Sequence, residues 1–156
     1  MKPKKIRLGD LSPVTTLDLY HGTDNLEAVR GISINNFDSR TSGKNMTRFG
    51  DGAYFATDAK YSHEYTKGPH RFMFQAKVLV GEATEGKPEY RRPPSRPGMD
   101  HELYDSCVDV LKNPRTYVLF EKAQCYPEFI IHYHSIGDLK NTPAQDATEL
   151  TSCCLL

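Results

Sequence analysis

Neither sign of charge is in excess. Lys plus Arg number 20 and Asp plus Glu number 20, so no overall field draws the chain to nucleic acid or to a membrane. No apolar run approaches the roughly 20 residues of a membrane-spanning helix. The basic arm Lys2, Lys4, Lys5 and Arg7 is not followed by the apolar stretch of a signal peptide. An intracellular, cytoplasmic protein is the expectation, and there the sequon Asn45-Met46-Thr47 has no use. The four cysteines lack C-x-x-C spacing, and a reducing compartment leaves Cys107 and Cys125 as buried thiols. A dinucleotide site of the G-x-G-x-x-G type is also missing, because Gly50 and Gly52 come before a strand rather than after one.

What is present concentrates in Arg48 to Tyr65, RFGDGAYFATDAKYSHEY. Gly50 and Gly52 bracket Asp51 in a loop able to approach a ligand closely. Ala53-Tyr54-Phe55-Ala56 reads as a short buried strand. Asp58 is the expected N-cap of a helix of about two turns reaching Tyr65, stopped by Gly68-Pro69. On that helix Ser62 and Tyr65 share a face, offering a hydroxyl and an aromatic ring together, which suits a flat ring bearing an amide. The same stretch also reads as a glycine turn, a core strand and a helix whose tyrosines only pack.

Along the chain, residues 1–16 form a basic arm. Leu17 to His21 alternates as a strand that Gly22-Thr23 breaks, and Thr23 or Asp24 caps a helix to about Asn35 that buries Leu26, Val29, Ile32 and Ile34. His21 at the strand exit is either functional or a satisfied polar residue. The loop from Asp38 to Phe49 carries Arg40, Lys44 and Arg48, one of which can meet a pyrophosphate. His70 to Val80 alternates strictly, with Phe72, Phe74, Ala76, Val78 and Val80 on one side. Gly86 to Gly98, with its prolines, cannot sit centrally in a sheet. Its Arg91, Arg92 and Arg96 read as solvated charge, as does the arm, so RNA contact is not expected. Thr116 to Phe120 is a strand, and Gln124 to Tyr133 another, with a bulge or an edge at Pro127. Residues 17–134 are the expected domain and 135–156 a flexible tail. Strands outnumber helices, so a compact α+β domain is expected.

These pieces in this order resemble the catalytic domain of the poly(ADP-ribose) polymerase superfamily, the diphtheria-toxin-like ADP-ribosyltransferases. The resemblance rests on Tyr20-His21-Gly22-Thr23, Gly50 to Ala56, Tyr61-Ser62-His63, Tyr104 to Asp109, and Tyr126 to Ile131. It is nearer the macrodomain-linked, mono-transferring members than the polymerases. The short form resembles the virus- and interferon-induced fish proteins of the reovirus-induced gene 2 family, which implies antiviral innate defence. The implied fold is a single compact domain of two small, mainly antiparallel sheets with few short helices. The implied co-substrate is NAD. His21 then holds a ribose hydroxyl, the Gly22 backbone and the Ser62 hydroxyl take the nicotinamide carboxamide, and Tyr54 and Tyr65 sandwich the ring. Thr23, Phe55 and Ala56 flank these positions in the matching motifs, and Arg40 is the pyrophosphate candidate.

The third catalytic position, a glutamate in the polymerases, falls at Thr116. Threonine has no charge and is no general base near neutral pH, so the resemblance implies transfer of a single ADP-ribose to an unknown protein acceptor rather than chain growth. Asp51 stands where a lysine is common, and a carboxylate beside a pyrophosphate has to be solvated or paired. Only about twenty residues precede His21, where the family usually carries a further helix and strand. The alternative is a catalytically inactive relative acting as an interaction module in the same response. His132 and His134 share one strand face but read as ordinary edge residues, so no metal is expected. Cys153 to Leu156 fits the C-a-a-X pattern for a geranylgeranyl group on Cys153, with possible membrane association.

Overall fold

A computed structural model describes residues 14–38 and 47–134, together with the backbone of Cys154 and Leu155. The order is β1 (Thr16–Thr23), α1 (Leu26–Asn35), β2 (Ala53–Ala56), α2 (Ala59–His63), β3 (Arg71–Leu79), β4 (Ala83–Glu85), β5 (Ser95–Arg96), β6 (Met99–Leu103), β7 (Ser106–Val108), β8 (Thr116–Leu119), β9 (Cys125–Tyr133) and β10 (Cys154–Leu155). Eight strands run in the order β10-β9-β3-β1-β2-β8-β7-β4, and β5 and β6 form a separate ribbon. Among the described residues only β4 and β7 pair in parallel. The architecture of the described residues is α+β, strand-rich, with two short α-helices and a second small sheet.

The large sheet is two four-stranded halves held at a seam. β1 matches β3 over eight residue pairs, from Thr16–Leu79 to Thr23–Phe72. It meets β2 at one pair alone, Tyr20 with Ala56. Past that pair β1 and β2 diverge. The core fills one face with Leu19, Phe37, Phe55, Phe74, Val78 and Leu119, all fully or nearly fully buried.

β3 forms as its alternation predicts, with Phe74, Ala76 and Val78 inaccessible. β9 carries the irregularity foreseen at Pro127: Gln75 pairs with Phe129 and Ala76 with Pro127, so Glu128 is the extra residue of a bulge. Four expectations need correction. β1 does not stop at His21 but runs through Thr23, because β3 continues to offer partners. The α1 cap is neither Thr23 nor Asp24 but Asn25, whose side chain accepts from the N–H groups of Glu27 and Ala28. Leu26 and Ile34 are 50% and 79% exposed, since α1 rests on the sheet through Val29 and Ile32. Finally, α2 is a single turn capped by Asp58 and finished at His63, so Tyr65 lies beyond it in a turn.

Candidate active site

The seam sets the site. Continued regularly, the β1–β2 ladder would place Gly22 opposite Tyr54; instead the strands separate, and the His21 side chain reaches across. Its Nδ1 lies 2.8 Å from the Tyr54 carbonyl oxygen. A carbonyl only accepts, so Nδ1 carries the proton and Nε2 keeps its lone pair. The ring stands edge-on to Phe37 at 5.4 Å and tilted against Phe55 at 6.0 Å. That apolar casing lowers the His21 pKa below its ordinary value, partly countered by the bond to Tyr54. The imidazole is therefore neutral at neutral pH, with an acceptor nitrogen on offer.

Phe37 is placed by Asn36, a residue that nothing in the sequence marks beyond its position after the helix. Asn36 takes a left-handed φ of 63° and its N–H closes on the Ile32 carbonyl. Its side-chain amide donates to the carbonyls of Lys122, at 2.9 Å, and Cys125, at 2.7 Å, while its oxygen accepts from the Phe37 N–H. The helix end is thereby tied to the start of β9, and the Phe37 ring is delivered against His21.

Gly22 and Ser62 are brought together. A Cβ on Gly22 would stand 2.6 Å from the Ser62 carbonyl oxygen and 2.9 Å from the Thr66 methyl, so only glycine lets α2 lie this close to β1. Ser62 is 3% exposed. α2 is held from behind by His63: Arg71 donates to its Nε2 at 3.2 Å, so its Nδ1–H faces the Tyr133 hydroxyl at 2.8 Å. Thr23 turns its hydroxyl to the Asn25 N–H, at 3.2 Å, and so prepares the cap of α1.

Tyr54 is fixed at both ends. Its phenol donates to the Gly50 carbonyl at 2.8 Å and accepts from the Phe49 N–H at 2.9 Å, pinning the glycine turn to β2. Burial raises its pKa, which keeps the donor proton in place. Phe55 belongs to the core, where it touches Phe37 at 4.7 Å, and Ala56 is buried at the seam pair. Tyr65 is 51% exposed, so the shared helical face expected for it and buried Ser62 does not exist. Its hydroxyl lies 2.8 Å from that of Tyr61, and this bond, before burial, pushes the Tyr65 pKa up to about 12. The Arg115 guanidinium covers the Tyr61 ring at 4.1 Å.

Thr116 opens β8, 6% exposed and paired with Ala56, so Tyr20, Ala56 and Thr116 form one row across the seam. Asp109 orients that strand end by accepting from the N–H groups of Arg115 and Thr116. Asp51 is paired: Arg91 donates to its carboxylate from the loop before β5. Of the arginine cluster read as solvated, Arg96 also has partners, in Glu82 and Asp105. Arg40 and Cys153 lie outside the described residues.

The Poly(ADP-ribose) polymerase catalytic domain matches residues 14–135. The human protein mono-ADP-ribosyltransferase PARP12 is 43% identical over 128 residues, covering 81% of this chain and 18% of that protein. The protein mono-ADP-ribosyltransferase PARP11 of Mus musculus is 39% identical over 138 residues, covering 74% of this chain and 41% of its own length. The human protein mono-ADP-ribosyltransferase PARP14 is 34% identical over 121 residues, covering 74% of this chain and 7% of that protein. The chain spans less than half the length of these relatives.

Proposed function

The chain belongs to the poly(ADP-ribose) polymerase catalytic-domain family, and on that premise we propose that it is a NAD-dependent protein mono-ADP-ribosyltransferase whose substrate enters where β1 and β2 part. The observation that carries the reading is the single seam pair Tyr20–Ala56, beyond which the His21 ring meets the Tyr54 carbonyl and Gly22 lies against Ser62.

In this reading the nicotinamide carboxamide takes the Gly22 backbone and the Ser62 hydroxyl, a donor and acceptor set matching an amide. The Tyr54 and Tyr65 rings flank the cationic pyridinium, which gains from lying against π faces. The neutral His21 Nε2 accepts from a ribose hydroxyl. Cleavage of the glycosidic C–N bond sends its electron pair to the nicotinamide nitrogen, which becomes neutral. The ribose carbon acquires oxocarbenium character, as in glycoside hydrolysis. An acceptor carboxylate from the target protein then closes the new C–O bond, with no proton to move. Thr116 offers no carboxylate to activate a hydroxyl of a first ADP-ribose, which supports one transfer per acceptor. The Asp51–Arg91 pair supports a phosphate-tolerant mouth, since the carboxylate is not left unopposed.

The biological setting in interferon-induced antiviral defence, the cytoplasmic location and a geranylgeranyl group on Cys153 belong to the same proposal. They are supported by the likeness to the virus-induced short proteins and by the Cys153 to Leu156 pattern. Calorimetry with nicotinamide and NAD tests the pocket before turnover. Isotopic NAD labelling of the protein and of a cell lysate, with His21→Ala and Tyr54→Ala beside it, tests transfer. Binding without label above those variants would convert the reading to an inactive interaction module, which the uncharged Thr116 also accommodates.

A further inference from the structure

The sheet face opposite the α2 anchor, at the start of β3 and the end of β9, carries three histidines that no role in NAD chemistry uses. His132 and His134 alternate on β9 and face one side. β3 starts at Arg71 opposite Tyr133, and Phe72 faces His132, so His70, one residue earlier, continues the register to His134. A directly opposed pair and its diagonal neighbour are within side-chain reach on one sheet face. The rings do meet: centroids lie 5.6 Å apart for His70 and His132, 5.6 Å for His70 and His134, and 5.1 Å for His132 and His134. One nitrogen of each ring lies within 4.8 Å of those of the other two.

We propose that His70, His132 and His134 bind a zinc-class divalent cation that staples the start of β3 to the end of β9. Zn–N bonds of about 2.0–2.1 Å in a tetrahedral set place the ligand nitrogens about 3.3 Å apart. Closing from 4.8 Å takes rotation of side chains only, since His70 and His132 are exposed and His134 is half-buried. The backbone is already in register. His132 is the preset ligand, stacked on Phe72 at 4.6 Å with the ring planes 14° apart. An all-imidazole set suits zinc, copper or nickel and offers nothing to calcium or magnesium, which require oxygen ligands. Three protein ligands leave a fourth position for water or an external side chain.

The placement gives the cation a mechanical consequence. Arg71 follows His70, and Tyr133, its partner across the strands, stands between His132 and His134; both grip His63 on α2 next to Ser62. A cation on one face therefore fixes the two residues whose other face anchors the helix bordering the proposed nicotinamide opening.

The test uses the untagged full chain carrying Cys153→Ser and Cys154→Ser, so that the tail thiols cannot contribute. Titration with zinc chloride by calorimetry is expected to show one equivalent bound, and cobalt to give the intense visible bands of a tetrahedral site. His70→Asn, His132→Asn and His134→Asn are each expected to weaken zinc binding at least about tenfold. Circular dichroism confirms that these surface variants fold. Absence of binding, or equal binding by the triple variant, overturns the proposal. The readout is metal affinity, so it stands or falls separately from ADP-ribosyl transfer.

Discussion

The His21 imidazole does for the Tyr54 carbonyl what a neighbouring backbone N–H does elsewhere in the sheet, across 2.8 Å. The bond closes the polar requirement of a strand that has lost its partner, and it fixes the tautomer of the ring at the same time. Structural and chemical roles of His21 are thus one interaction.

A pH dependence follows. The folded His21 has its pKa lowered below the ordinary 6.5 by burial, so below that value the unfolded chain takes a proton that the folded chain refuses. Stability is complete above about pH 6.5 and falls as the pH drops through it toward the lowered folded value. Thermal melts between about pH 7.5 and pH 5 are expected to show this loss, with a shallower slope in His21→Gln. A slope remains in that variant because the His132 pKa is also lowered. Equal slopes in the two proteins would refute the assignment to His21.

Gly22→Ala and Gly31→Ala should behave oppositely. The first puts a methyl 2.6 Å from the Ser62 carbonyl and displaces α2, whereas the second meets nothing within 4 Å on α1. Nicotinamide affinity by calorimetry is expected to drop at least about tenfold, some 1.4 kcal/mol, in Gly22→Ala. Gly31→Ala is expected to keep that affinity and to gain about 0.5–1 kcal/mol in urea denaturation. An unchanged affinity in Gly22→Ala would sink the site.

Tyr54→Phe removes only the phenol that ties Phe49 and Gly50 to β2. A loss of about 1–2 kcal/mol in urea denaturation is expected. Limited trypsin digestion should cut faster after the exposed Arg48, because its turn is released. Unaltered cleavage at Arg48 would show that the turn does not depend on the phenol.

Burial pushes the Cys107 thiol up to about 11 and that of Cys125 up to about 12. In the Cys153→Ser, Cys154→Ser chain, iodoacetamide at neutral pH is expected to label neither until denaturant is added, and then both. Mass spectrometry reads the count; rapid labelling of Cys107 in the folded protein is the contrary result.

The elements legible in the sequence are those with a repeating physical signal. β3 and β8 were foreseen through their strand-forming side chains, α2 through the Asp58 cap, and the β9 bulge through a proline that cannot donate to a ladder. β7 was not, because Ser106, Cys107 and Val108 are all buried and therefore show no alternation. The α1 face was misjudged at Leu26 and Ile34, since periodicity marks a stripe but not how much of a short helix the sheet covers. In the candidate site, His21, Gly22, Tyr54 and Ser62 are singled out by the family resemblance, whereas Phe37, Asn36 and Arg91 meet their partners through contacts formed only by folding. The His70 ring joins His132 and His134 for the same reason: the register of β3 against β9 brings together residues far apart in the chain.

That register also sets a timetable. β3 acquires its first flank from β1, made earlier, but its second comes from Cys125–Tyr133. During synthesis from the N-terminus, Phe74 and Val78 therefore remain incompletely covered until nearly all the described chain has left the ribosome. Distant pairings of this kind close slowly, which makes the nascent half-sheet a natural client for a chaperone.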